Sequence, residues 1–320
     1  MNSISYDEIL TMMYLSLLIY DYNNNSEFIF KENQTIEEYL ISINNKFING
    51  INDINLTKIE TNGLLYLNKN FSDGKVIAFI DNLNIQLAVI LSESLKVLVI
   101  VFRGTDSFRD ILYDFNISKI PLDKNIYIHN GFYNQLNTVY GELLNIINIH
   151  LTNDYNIYIS GHSAGGAHST ILSYLLSKKT KKIIKVITFG CPKIGNYEWK
   201  QSYESTKNIL NYRITNNSDI ITCLPLYNYY HVGINIHLTN TNIIYNINYN
   251  LFTYFYFIIY NVCDHSLIKY YNNFIDKEEL FINLMIENSI NPFMRFSSND
   301  IIFINNDNDN NNNINYIINL

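Results

Sequence analysis

Residues 156–166 read Asn156-Ile-Tyr-Ile-Ser-Gly-His-Ser-Ala-Gly-Gly166, a short apolar run that enters the pentapeptide Gly161-His162-Ser163-Ala164-Gly165. A serine with glycine two residues away on either side marks a strand-to-helix turn so sharp that its hydroxyl stands clear of the sheet. Glycine is required there because the turn brings two backbones close together and leaves no room for a Cβ. A chance glycine-serine turn fits the composition poorly: of only 12 glycines in 320 residues, three lie between Gly161 and Gly166. Downstream, Ala167, Ile171, Tyr174, Leu175 and Lys178 recur at i, i+4, i+7, i+8 and i+11, which predicts a helix whose last turn is basic. Strand, tight turn and helix are the setting this motif needs, so Ser163 reads as a nucleophile.

The composition around this anchor narrows the classes of partner. A net charge of −7 argues against nucleic acid or a strongly anionic surface. The chain is rich in Asn, Ile, Tyr and Lys and holds only 4 prolines and 4 arginines, so these scarce residues mark places where backbone or charge demands them. Arg103, Arg109, Arg213 and Pro192 fall in the segments quoted below. Cys191, Cys223 and Cys263 are few, odd in number and lack C-x-x-C spacing, which gives neither a disulfide framework nor a zinc site. Ile9–Tyr20 is apolar, but Asp7 and Glu8 precede it where a leader would carry positive charge, and no small-residue cleavage site follows. It reads as a buried helix, with a non-cleaved membrane anchor as the alternative, and a cytoplasmic location is favoured. The aromatic stretch Leu251–Tyr260 is too short to span a bilayer and reads as a core strand or helix.

Along the chain, residues 1–60 read as mostly helical. Val76–Ile80, Ile85–Leu91 and Lys96–Phe102 read as strands, and Phe132–Ile149 as a helix with Leu136, Val139, Tyr140, Leu143 and Ile147 on one face. After the elbow come further strands at Ile183–Phe189 and Asn208–Ile214. Alternating strands and helices predict a largely parallel sheet covered on both faces, an α/β fold. A single domain over 1–303 with its core at about 76–275 is expected, followed by an Asn-rich, disordered tail at 304–320.

A serine hydroxyl needs a base to take its proton and a third group to orient that base. In chain order an acid and then a histidine should follow the serine. Asp219, in the polar turn after the strand at 208–214, would stand at the sheet's edge beside the elbow; its plainer use is as a turn or cap aspartate. His231, His237 and His265 all follow it, and position alone does not choose among them. His231 reads as the start of a strand, and His265 as the start of a helix that a loop could bring to the site. Oxyanion donors are expected from the N–H of Ala164 and from a loop after an earlier strand, where Arg103-Gly104-Thr105-Asp106 ends the run Val97–Phe102. Phe108, Ile111, Leu112 and Phe115 then recur at i, i+3, i+4 and i+7. Such a short amphipathic helix could be a lid covering the serine in water and turning outward at a lipid surface, or a surface helix packed on the core.

Together the segments Val101–Phe115, His129-Asn-Gly-Phe-Tyr133, Gly161–Gly166, Thr188-Phe-Gly-Cys-Pro-Lys-Ile-Gly-Asn196, Tyr212–Leu224 and His265-Ser-Leu-Ile-Lys-Tyr270 resemble, in order, the class 3 (fungal-type) lipase family. The resemblance implies an α/β-hydrolase fold with a short helical lid at 106–120. It carries over Ser163 as nucleophile, Asp219 as triad acid, His265 as base, and Thr105 and Ala164 as oxyanion donors. His129 matches a position near the lid hinge and is expected to be structural. The family usually has Leu where Ala164 stands and small apolar residues where His168 and Ser169 stand, so the elbow helix should pack differently here.

The implied activity is hydrolysis of lipid carboxylic esters through an acyl-enzyme, without metal or cofactor, on a lipid ester substrate that could lie at a membrane or droplet interface. The alternatives are a phospholipase A1, a small-ester esterase, or a lipase-like scaffold that binds without turnover. Such scaffolds usually lack a triad residue, and all three candidates are present here.

Overall fold

The computed structural model describes residues 4–20, 33–41, 58–82, 85–105, 118–151, 154–245, 262–290 and 302–303. The readings of a lid at Phe108, Ile111, Leu112 and Phe115, of a core element at 251–260 and of a disordered tail at 304–320 fall wholly or almost wholly outside those residues.

Eleven strands are described: β1 (Lys75–Asn82), β2 (Ile85–Ser92), β3 (Val97–Phe102), β4 (Lys119–Asp123), β5 (Ile126–His129), β6 (Asn156–His162), β7 (Ile184–Phe189), β8 (Ile209–Asn216), β9 (Ile234–Leu238), β10 (Ile243–Tyr245) and β11 (Ile302–Phe303). Nine of them form one sheet in the order β1-β2-β3-β6-β7-β8-β9-β10-β11, while β4 and β5 pair as a separate ribbon. The five central strands β3, β6, β7, β8 and β9 run parallel, and antiparallel pairs close both edges. This is the α/β-hydrolase arrangement. The middle strands are buried on both faces, so their sequences are continuous apolar runs such as Val97–Phe102 rather than alternating patterns.

Among the described residues, the helices packed around the sheet include α1 (Tyr6–Leu18), α2 (Lys58–Asn70), α3 (Asn130–His150), α4 (Ala164–Ser177), α5 (Tyr197–Glu204), α6 (Leu267–Asn272) and α7 (Glu278–Ile290). One core lies between the sheet and α1, α2, α6 and α7, with Met13, Val99, Phe189, Ile214 and Phe281 among its residues. The other lies under α3, α4 and α5, with Phe102, Ile159, Ile171 and Trp199.

The apolar N-terminal segment is a buried helix. Its acidic start is a capping box: Glu8 N–H donates to Ser5 Oγ (3.1 Å), and Ser5 N–H to Glu8 Oε2 (2.7 Å). The other Glu8 oxygen takes the Tyr158 hydroxyl and Lys185 Nζ at 2.5 Å each, which fixes α1 to β6 and β7.

Two local readings need correction. The elbow helix is buried almost all round instead of along one face, because it is wedged between the sheet and α3. It ends at Ser177 with Lys178 as its cap, so its last turn is not basic. Its Ser169 and Thr170 hydroxyls donate back to the carbonyls of Gly165 (2.7 Å) and Gly166 (2.9 Å), which lets polar residues sit in the interior. His231 does not start a strand: β9 begins at Ile234, after Gly233 turns the chain at a φ of 78° hard against Asn211.

Candidate active site

The register of the parallel strands lines up the site. Phe102 pairs with Gly161, His162 with Phe189, and Phe189 with Ile214. The first residues beyond β6 and β7, Ser163 and Gly190, therefore emerge together at the carboxyl edge of the sheet, with the turn after β8 that carries Asp219 beside them.

Ser163 has φ 57° and ψ −125°, a backbone state that L-residues with a Cβ rarely occupy. That strain is characteristic of a nucleophile elbow. The turn is held because Ser163 N–H donates to the Phe189 carbonyl at 2.9 Å and the backbones pack at contact. A Cβ on Gly161 would lie 2.5 Å from the Gly165 carbonyl, and one on Gly165 the same distance from the Phe102 carbonyl. Ser163 makes no side-chain cap to its own helix, which leaves the hydroxyl free to face a partner.

That partner is His265. Its Nε2 lies 2.8 Å from Ser163 Oγ, and its Nδ1 lies 2.9 and 3.0 Å from the two oxygens of Asp219. With Nδ1–H donating to the carboxylate, Nε2 is left as the acceptor that faces the serine hydroxyl. Asp219 is buried, and its remaining lone pairs are used: Ile221 N–H donates to Oδ1 at 2.9 Å and the Tyr270 hydroxyl to Oδ2 at 2.5 Å. Gly190, with φ 59°, makes room for this pair; a Cβ there would lie 3.0 Å from both Asp219 Oδ2 and His265 Cε1.

The other two candidate histidines are engaged elsewhere. His231 Nε2 lies 2.6 Å from the Thr222 carbonyl, and His237 Nδ1 lies 2.9 Å from Thr215 Oγ1. Burial pushes both imidazoles down, His231 well below the usual histidine range and His237 to about 4. His129 caps α3 by accepting from Phe132 N–H at 3.4 Å and stacks on that ring, with burial lowering it to about 4.

Ala164 is the first residue of α4, so its N–H has no acceptor within its own helix. Gly104 lies against the elbow: a Cβ there would stand 2.5 Å from the His162 carbonyl oxygen and 3.1 Å from Ser163 Cβ. Thr105, exposed, follows it, and residues 106–117 lie outside the described structure.

Sequence reasoning missed two features. Tyr270 was noted only as part of a matching segment, although a tyrosine one helical turn beyond Ser266 on a helix starting beside His265 is placed to reach the same acid. His162, inside the elbow pentapeptide, contacts His265 directly: the rings stand 4.6 Å apart, and His162 Nε2 lies 2.7 Å from the His265 carbonyl oxygen. Burial, with His265 beside it, holds the His162 imidazole well below its usual range.

A family model described as Lipase (class 3) matches residues 99–229, which run from β3 through the elbow and Asp219. Over that segment, which is under half of the chain, the sequence is similar to the class 3 lipase family. It is 29% identical over 163 residues to a lipase of Rhizopus niveus, a match covering 48% of this chain and 41% of that protein. It is 31% identical over 85 residues to phospholipase A1-IIdelta of Arabidopsis thaliana, covering 25% of this chain and 21% of that protein. The chain thus spans less than half the length of these relatives. The solved structure of lipase II from Rhizopus niveus superimposes with a TM-score of 0.62 at 20% identity, over 82% of this chain and 94% of that one, which establishes the shared fold. His265 and Tyr270 lie beyond the family-matched segment, and their place comes from the geometry alone.

Proposed function

We propose that this class 3 lipase relative hydrolyses carboxylic esters of lipids by an acyl-enzyme route. Ser163 attacks the acyl carbonyl while His265 takes its proton; Asp219 holds the imidazole in the productive tautomer and stabilises the imidazolium that forms. The N–H groups of Thr105 and Ala164 receive the tetrahedral oxyanion, where loss of one donor typically costs on the order of a hundredfold or more in rate. His265 then returns the proton to the leaving alcohol, and water releases the fatty acid by the same sequence in reverse. The observation that carries the reading is the continuous hydrogen-bonded line from Ser163 Oγ through His265 to Asp219, built around a strained elbow.

A phospholipid substrate is the second reading, favoured by the likeness to the Arabidopsis thaliana phospholipase A1-IIdelta. Phe108, Ile111, Leu112 and Phe115 belong to the proposal as a lid opening at a lipid surface. The deciding experiment is labelling with a fluorophosphonate, followed by peptide mapping and parallel assays on a triacylglycerol emulsion and on phosphatidylcholine vesicles. Labelling at Ser163, abolished by Ser163→Ala, is the expected result. Labelling elsewhere, or none, overturns the serine mechanism.

A further inference from the structure

Tyr20 lies two residues beyond α1, nearly eighty residues ahead of the family-matched segment. Its hydroxyl nevertheless stands 2.7 Å from His162 Nδ1, inside the elbow, and its ring meets that imidazole edge-on at 5.8 Å. The other imidazole nitrogen faces the main-chain carbonyl of His265. A carbonyl oxygen can only accept, so Nε2 carries the hydrogen; in a neutral ring Nδ1 is then the acceptor, and the Tyr20 hydroxyl donates to it. Three groups are thereby joined in one direction: Tyr20 O–H to His162, and His162 N–H to the backbone of the residue facing Ser163.

Tyr20 also touches the third wall of the site. A Cβ on Gly104 would lie 2.2 Å from its hydroxyl, so the loop leading to Thr105 rests directly on it. Arg103, whose guanidinium donates to Gln86 Oε1, lies over the Tyr20 ring at 5.5 Å from its centroid. His265 itself comes from a short turn that is also tied to the turn after β8, through Asn216 Nδ2 to the Asp264 carbonyl at 3.0 Å and Ser218 N–H to Asp264 Oδ2 at 3.3 Å. A shift in that turn changes the Nε2–Oγ alignment, and misplacement by an ångström can cost about a hundredfold in rate.

We propose that Tyr20 and His162 are positioning residues, the Tyr20 hydroxyl acting through His162 to hold the main chain of His265 and the Arg103–Thr105 loop in register with Ser163. The inference rests on the reading of Ser163, His265 and Asp219 as an ester-hydrolysing triad. It gives the N-terminal helix a part in the site: α1 delivers a hydroxyl to the point where elbow, oxyanion loop and histidine turn meet.

The test is Tyr20→Phe, which keeps the ring and removes the hydrogen bond, set beside His162→Gln and the double variant. On a dissolved p-nitrophenyl ester, Tyr20→Phe is expected to lower kcat between about threefold and about thirtyfold with KM within about twofold, and to slow fluorophosphonate labelling by the same factor. The double variant should lose no more than His162→Gln alone, because the two groups act as one unit. Unchanged kcat, a rise in KM alone, or fully additive losses would each overturn the proposal. An unlabelled, inactive wild type would sink the hydrolase reading instead. In that case imidazole 15N spectra still decide the positioning: a shift of the His265 resonances in Tyr20→Phe supports it, and no shift overturns it.

Discussion

Two stretches of this chain deliver histidines behind Asp219, and only one of them reaches the serine. Between β8 and the end of β9, His231 and His237 are fixed by a backbone carbonyl and a threonine hydroxyl, and burial keeps both rings neutral. The turn at 262–265 instead places an imidazole with a carboxylate on one nitrogen and a hydroxyl on the other. His237 and His265 are buried and His231 is partly buried, so enclosure does not set them apart. The difference lies in the partners: His265 hydrogen-bonds a carboxylate, which stabilises the imidazolium that base catalysis must form.

The largest test of this contrast is the exchange of roles. Ser163→Ala or His265→Ala is expected to lower kcat on a lipid ester by on the order of ten-thousandfold or more, and the double variant to be no worse than either single one. Asp219→Asn should approach the same loss, because an amide can leave the imidazole in the wrong tautomer. Steady-state rates on an emulsified ester, with thermal midpoints to confirm folding, check all three. Activity retained in His265→Ala and lost in His231→Ala would reverse the assignment.

Next in size is an effect of acid on stability. Burial lowers His129 and His237 to about 4 and His168 to about 3. In the unfolded chain the same rings titrate near about 6.5. Below that pH the unfolded state binds protons that the folded state refuses, so their stabilisation is complete above about 6.5 and is lost as pH falls towards 4. Each ring contributes a slope of about 1.4 kcal/mol per pH unit within that window. The urea midpoint should therefore drop steeply from pH 6.5 to pH 4.5, and His168→Gln, which cannot titrate, should lessen the drop by one ring's share. A flat profile would contradict the burial of these rings in neutral form.

How much of this was legible in the sequence follows from the range of each constraint. The elbow is local: five residues set a strained φ and a close approach of backbones, and the glycines that permit it are visible in the letters. The central strands were visible as well, since burial on both faces leaves uninterrupted apolar runs such as Val97–Phe102. The partner histidine was not readable from position, because its choice depends on where a chain segment more than forty residues past Asp219 returns, and only the resemblance singled it out. Tyr20 was further out of reach. Its hydroxyl acts over 142 positions in sequence, and nothing in an apolar helix distinguishes a tyrosine that packs from one that also donates. His168 shows the converse limit. It interrupts an apolar pattern, yet the structure accommodates it with one hydrogen bond, Nε2 to Gln135 Oε1 at 3.0 Å, across two helices.

A smaller effect is expected at Tyr270. Its hydroxyl supplies one of the bonds that hold Asp219, alongside Ile221 N–H, so Tyr270→Phe removes a charge-assisted bond without emptying the core. A loss of about tenfold in kcat with unchanged KM is expected, equivalent to roughly 1.4 kcal/mol of transition-state stabilisation. A loss as large as that of Asp219→Asn would mean that Tyr270 sets the orientation of the acid by itself.

The smallest effect is the sharpest test of the comparison. His231 is partly buried and His265 buried, and a view in which enclosure alone makes a histidine functional would have both matter for turnover. Replacing His231 with Gln keeps a donor for the Thr222 carbonyl while discarding the imidazole. Because the bond is largely retained and no cavity of methyl size is opened, stability should fall by no more than about 1–2 kcal/mol. Turnover should stay within about threefold of wild type, since His231 reaches Asp219 only indirectly, by way of Thr222, whose hydroxyl donates to the Asp219 main-chain carbonyl at 2.8 Å and not to its carboxylate. Thermal melts and kcat measured on the same preparation separate the two quantities. A melt that falls while kcat holds leaves His231 as a strut for the acid's turn; a kcat that collapses while the melt holds would place a second imidazole in the chemistry and break the distinction between the two regions.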